Sequence, residues 1–161
     1  MPISPRPSRR EWAASAGHHD ARGALGGLYT AVGGRDAATP RFTQRIVAAT
    51  ARLVREEARI RLFDWTPHHE VLAADGAVYD RTDAQDGEPG FIKAFRDPFP
   101  FTDPADGSRW LLFAGSVAGA PSAFNGAVGL ARATGEGGYA LVPPLLGAVG
   151  VNNELERPHI V

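Results

Sequence analysis

The 161-residue chain is 43% hydrophobic, too apolar for a disordered polypeptide and long enough to enclose one domain core. Its 17 Lys and Arg against 18 Asp and Glu leave a formal charge of -1, so it offers no basic footprint for nucleic acid or anionic lipid. The absence of cysteine excludes disulfides, thiolate metal sites and a cysteine nucleophile. No apolar run reaches the roughly 20 residues that a membrane-crossing helix needs.

In chain order, residues 1–10 are basic and proline-rich and are expected to form a disordered segment ahead of one domain over 11–161. The following Glu11-Trp12-Ala13-Ala14-Ser15-Ala16 is not an apolar signal core, so no secretion signal is visible. From there 19 Gly and 13 Pro cut the sequence into short apolar runs. Those runs predict strands at 25–32, 44–54, 58–63, 91–95, 109–116, 127–133 and 139–141. Segment 45–57 is rich in Ala, Arg, Leu and Glu, which favour helix. Arg45, Val47, Arg59 and Arg61 alternate with apolar residues, however, and 58–63 would make a hairpin partner, so strand is expected. The polar stretch 83–90 reads as a long loop between two sheets. The spacing of strands fits a sandwich, a barrel or a propeller, and periodicity does not choose among them.

Three segments carry residues suited to chemistry. In Phe95-Arg96-Asp97-Pro98 an Arg-Asp pair is expected to end a strand, with Pro98 forcing the chain out of it. An acid beside a cation can stabilise a developing positive charge or fix sugar hydroxyls, although an isolated pair of this kind is more often a surface ion pair at a turn. In Asn153-Glu154-Leu155-Glu156-Arg157-Pro158-His159 two carboxylates stand at i and i+2, on one side of an extended chain. Like charges so placed hold a proton more readily than a lone carboxylate, as a general acid requires; a solvated edge paired to Arg157 is the plainer meaning. Trp12 beside Glu11 could offer a flat apolar platform to a sugar ring, or simply be a core tryptophan. The pairs His18-His19 and His68-His69 lack the spacing of a helical zinc site, and neither metal nor cofactor is assigned.

Taken together and in order, these segments resemble glycoside hydrolase family 68, the levansucrases and inulosucrases. The resemblance is densest in Gln44-Arg45-Ile46-Val47, Arg61-Leu62-Phe63-Asp64-Trp65-Thr66-Pro67-His68, Phe95-Arg96-Asp97-Pro98-Phe99-Pro100-Phe101, Val142-Pro143-Pro144-Leu145-Leu146 and Glu156-Arg157-Pro158-His159-Ile160-Val161. It implies an all-β fold, a partial five-bladed β-propeller made of an arc of antiparallel four-stranded blades. It also implies a retaining sucrose fructosyltransferase that passes a fructosyl unit through a covalent enzyme intermediate to fructan, sucrose or water. By the same resemblance Asp97 is the transition-state stabiliser, Glu156 the acid/base, and Trp12, Arg96, Glu154 and Arg157 line the sucrose pocket. Sucrose and fructan acceptors are the implied partners, and the implied location is extracellular or periplasmic. An invertase-like hydrolase and a non-catalytic sugar-binding fragment are the alternatives.

The sequence also departs from the family. Its nucleophile segment, Trp-Asp-x-Trp-Pro in type, is not found, so the chain is expected to be inactive alone and to need a complementary fragment carrying that acid. Asp64, in Asp64-Trp65-Thr66-Pro67, is a decoy for it, because the family has this segment in addition to its nucleophile. Ala13-Ala14 replaces Ser-Gly, Ala114 stands where an acid is usual, and Asn153 replaces an aspartate that helps hold calcium in some relatives, so calcium is not carried over.

Overall fold

The computed structural model describes residues 10–19, 24–33, 42–81, 92–135 and 137–161, and every regular element among them is a β-strand. β1 (Arg10–His19), β2 (Ala24–Val32), β3 (Gln44–Glu56), β4 (Arg59–Phe63) and β5 (His69–Ala73) form one sheet; β6 (Phe95–Thr102), β7 (Arg109–Ser116), β8 (Gly126–Ala133) and β9 (Tyr139–Gly147) form a second. All pairings are antiparallel; β1 to β4 and β6 to β9 neighbour one another in sequence order, and β5 returns to pair with β3. The segments 1–9 and 83–90, expected as a disordered arm and a loop, lie outside the described residues, and Arg10 already belongs to β1.

The first sheet holds five strands in four positions. β3 is 13 residues long, and its end Arg52–Glu56 pairs with β4 while Arg45–Ala48 pairs with β5. The chain leaves β4 at Asp64, whose φ of 55° turns it back along β3. On the way Thr66 N–H donates to Thr50 O (2.8 Å) and Thr50 N–H to Thr66 Oγ1 (2.9 Å). Segment 45–57 is therefore strand up to Glu56, as the alternation predicts: Ile46 is buried on one face and Val47, Ala49 and Ala51 on the other. Burial on both faces outweighs the helix preference of its alanines and arginines. β1 and β5 fall outside the expected strands, β5 because His68-His69 reads as loop.

Between the sheets lies one core of Leu28, Ile46 and Leu72 facing Phe95, Leu111, Phe113 and Ala131, with Tyr79 from the connecting segment wedged among them. The rings of Tyr79 and Phe113 meet edge-on at 5.0 Å, and those of Phe95 and Phe113 lie tilted at 4.6 Å. Each such side chain contributes roughly 1.5–3 kcal/mol by leaving water. Two glycines make the space, since a Cβ at Gly115 would press on the Tyr79 ring and one at Gly129 would overlap Phe113. The Tyr79 hydroxyl accepts from Leu130 N–H (3.0 Å) and donates to Val142 O (2.8 Å), filling the irregularity where β9 departs from β8. β9 continues past Leu141 through Pro143 and Pro144 because it is an edge strand whose register with β8 skips from Val142 to Leu146, so their missing N–H groups break no ladder.

The expectation that Asp97-Pro98 ends a strand is corrected. β6 begins at Phe95 and runs on to Thr102. Arg96 is opposite Ala114 and Phe99 opposite Leu112, so Asp97 and Pro98 together face the single residue Phe113. This is a β-bulge, and it absorbs the proline within an edge strand instead of ending the strand.

Candidate active site

β6 reaches its position through side chains of both sheets. Phe95 N–H donates to Gln44 Oε1 (2.9 Å), Ala94 N–H to Ser116 Oγ (3.0 Å) and Asp97 N–H to Thr30 Oγ1 (3.0 Å). The bulge places Asp97 in the left-handed region at φ 57°, uncommon outside glycine and most tolerable for Asn and Asp. In an unbroken strand Arg96 and Asp97 would point to opposite faces. Here both engage the same segment, 154–157.

Arg96 is 5% exposed, and its Nη2 lies 2.8 Å from Glu154 Oε1 and 3.2 Å from Glu156 Oε1. A buried guanidinium must be paired, and these two carboxylates, both partly open to solvent, pair it. The residue opposite Arg96 is Ala114, whose methyl leaves the guanidinium to the two glutamates. Asp97 Oδ2 accepts from Arg157 N–H at 3.2 Å. Arg157 itself stands at φ 49°, and His159 Nδ1 lies 3.1 Å from Arg157 O with its ring edge-on to Phe99. Segment 150–154 is held from behind: Gly126 N–H donates to Asn152 O (2.9 Å), Asn153 Nδ2 to Ile92 O (3.2 Å) and Glu154 N–H to Asn152 Oδ1 (3.1 Å).

The structure thus brings Arg96, Asp97, Glu154, Glu156 and Arg157 together, the last through its main-chain amide. Trp12 lies opposite Thr30 in the β1–β2 register, beside the residue that fixes Asp97; its side chain lies outside the described residues. Asp64 is elsewhere. It pairs with Arg52 at 3.0 Å, and Arg52 stands six residues along β3 from Ile46, the partner of Thr30. At about 3.3 Å per residue that is roughly 20 Å of strand. Thr30, Gln44 and Ser116 escaped the sequence reading, because a polar residue inside an apolar run has no motif; only Gln44 lay within a segment of dense resemblance.

A cleft of about 560 Å³ opens between the sheets along Gly26, Ala48, Thr50, Phe101, Arg109 and Tyr139. It belongs to the far half of β6, and no carboxylate lines it among the described residues. No group of three or more His, Asp or Glu able to hold a metal occurs among the described residues.

The model of the family described as levansucrase/invertase, glycoside hydrolase family 68, matches residues 1–126. The chain belongs to this family. Among its relatives, levansucrase LscB of Pseudomonas savastanoi pv. glycinea is 32% identical over 96% of this chain and 39% of its own length. The levansucrase of Erwinia amylovora is also 32% identical, over 96% of this chain and 40% of its own. The inulosucrase from Halalkalicoccus jeotgali, solved bound to kestose, superposes with a TM-score of 0.83 at 33% identity, covering 98% of this chain and 41% of that one. Bacillus subtilis levansucrase superposes at 0.78 and 17% identity over 93% of this chain, a likeness of fold. The chain spans about two fifths of the length of these family 68 proteins. Two sheets in two fifths of the length scale to about five in the whole, the blade number of the family's propeller. The two sheets are two blades of a partial β-propeller.

Proposed function

We propose that this chain supplies the stabiliser and acid/base part of a sucrose fructosyltransferase. The observation that carries the reading is the meeting of Arg96-Asp97 on β6 with Glu154, Glu156 and Arg157 after β9, acids from two distant segments fixed by one guanidinium and one amide. Glu156 protonates the departing glucose oxygen and later activates the acceptor hydroxyl or water. Asp97 holds fructosyl hydroxyls and faces the charge that develops at the anomeric carbon. Arg96, Glu154, Arg157 and Trp12 line the sucrose site, with Arg96 setting the direction of both glutamates. Transfer goes through a covalent fructosyl intermediate, and the carboxylate that forms it comes from blades outside these 161 residues, since Asp64 is occupied by Arg52 on the far part of the first blade. The working location is extracellular or periplasmic, where sucrose and fructan are met.

The test is glucose release from sucrose. The purified 161-residue chain shows none, with or without Asp64→Asn. Mixing it with a polypeptide carrying the nucleophile-bearing blades restores release, and Asp97→Asn or Glu156→Gln in this chain then lowers it by about 10² or more. Restored release that neither substitution changes would overturn the assignment. Product analysis of the same mixture separates transfer to fructan from hydrolysis.

A further inference from the structure

Behind the acidic segment lies a buried polar cluster that the proposed reaction does not use. Lys93, 3% exposed, sits three residues before Arg96 in the lead-in to β6. Its Nζ donates to Asn125 Oδ1 (2.7 Å) and Ala123 O (2.9 Å). Asn125, 1% exposed, in turn donates from Nδ2 to Asp80 Oδ2 (2.7 Å) and Val117 O (2.7 Å). Burial pulls the Lys93 pKa below its ordinary value and the Asp80 carboxylate pushes it back, so Asp80 is the countercharge of this ammonium.

The surroundings of that ammonium are oxygens: a main-chain carbonyl, a carboxamide oxygen and, one residue away, a carboxylate. Hard metal ions choose the same donors. The cluster also adjoins Asn153, whose Nδ2 donates to Ile92 O and whose backbone packs against Gly126 so closely that a Cβ there would lie 2.6 Å from it. By the family resemblance, Asn153 takes the place of an aspartate that helps hold calcium in some relatives. Here a neutral amide replaces that acid and a fixed cation is already present, so the residues do not fit calcium.

We propose that the Lys93 ammonium is a built-in structural cation that does the work of a bound metal ion, tying the 123–125 loop and Asp80 to the strand that carries Arg96 and Asp97 and so positioning the 152–157 segment. This makes the fold independent of metal. It also makes Lys93 a positioning residue, linked to the acidic segment through Asn125, Gly126 and Asn152.

Two variants of the full chain test it, by thermal melting in chelator and in about 5 mM calcium chloride, above the range of weak extracellular calcium sites. The unaltered chain melts at the same temperature in both. Lys93→Met fills the space without charge; its midpoint falls by roughly 5 °C or more and calcium does not restore it. Lys93→Ala empties the oxygen cage; it falls further in chelator, regains at least a third of the loss in calcium, and binds terbium with sensitised luminescence that the unaltered chain lacks. Hydrogen exchange at 123–126 and 152–157 rises in both variants and falls back with calcium only in Lys93→Ala. A Lys93→Met chain that melts like the unaltered one shows that packing and not charge does the work, and overturns the proposal. So does Lys93→Ala that is indifferent to calcium, or an unaltered chain that loses stability in chelator.

Discussion

Asp97 and Arg157, 60 residues apart, are joined by a 3.2 Å hydrogen bond from the Arg157 amide to Asp97 Oδ2, and both stand in the left-handed region at φ 57° and 49°. Two strained residues hold each other, each at a cost of about 1–3 kcal/mol that the surrounding structure must offset. Asp97→Ala removes the acceptor and puts a less tolerant residue at that φ. It is expected to lower unfolding free energy by about 1–3 kcal/mol. Asp97→Asn keeps a carbonyl acceptor and a residue at ease in this region, so the loss is less than half as large. Urea denaturation of both variants measures the difference; equal losses would show that the bond and the backbone conformation are not coupled.

Gly126 opens β8 with its Cα against the main chain of Asn153, where a Cβ would lie 2.6 Å from Asn153 C and 2.8 Å from Glu154 N. Backbone cannot yield as a side-chain tip does. Gly126→Ala is expected to push the 153–157 segment off β6, lowering the melting midpoint and cutting sucrose-dependent activity of the complemented enzyme by about 10² through misplacement of the acids. Gly147→Ala, where a Cβ meets nothing within 4 Å, is the control and leaves activity unchanged.

Much of this was legible in the sequence because strand periodicity and turn residues are local signals. β7 matches its expected bounds, and β3 follows the alternation of Arg45 and Val47 with their neighbours. β6 was misread at Pro98, because a bulge is visible only in the register against β7, where Asp97-Pro98 oppose Phe113. The candidate acids stand in motifs, whereas the residues that hold them in place do not. Arg96 was read as a companion of Asp97, and it turns instead to Glu154 and Glu156. Lys93, Asn125 and Tyr79 each have partners 30 to 63 residues away, and nothing in their neighbouring residues announces such links.

Asp75 and Tyr79 give the fold opposite sensitivities to pH. Burial would raise the Asp75 carboxyl, but the amides of Ala77, Val78 and Tyr79 all donate to its Oδ1, outweigh that and hold its pKa below 3.8. Its stabilisation is present above the ordinary carboxylate pKa and is lost as pH falls through the lowered value. Burial raises Tyr79 above 10.0, with Leu130 N–H opposing and Asp75 adding. Its contribution is whole below pH 10 and is lost as pH rises through the raised value. Asp75→Asn should flatten the acid limb of a stability profile and Tyr79→Phe the alkaline limb. Tyr79→Phe also leaves Leu130 N–H and Val142 O without the hydroxyl, costing about 1–3 kcal/mol at neutral pH. Limbs that do not respond to their own substitution would refute these assignments.

Arg96 is the residue on which the acidic site turns, and its replacement should reveal the charge it balances. In Arg96→Met the apolar stem still packs beneath the segment, while Glu154 and Glu156 lose the nitrogen that both approach. Two like charges then share one face and repel. Because the two carboxylates are 40% and 56% exposed, solvent screens them, and the direct electrostatic loss at neutral pH is discounted to about 1 kcal/mol. Raising salt at pH 7 to about 1 M should narrow the gap between Arg96→Met and the unaltered chain, by screening the repulsion. Arg96→Lys keeps a cation but no planar fork, and it should recover the salt response without recovering activity in the complemented enzyme. Melting curves of the three chains across salt decide the matter, and a gap that ignores salt would mean that Arg96 serves the fold by packing alone.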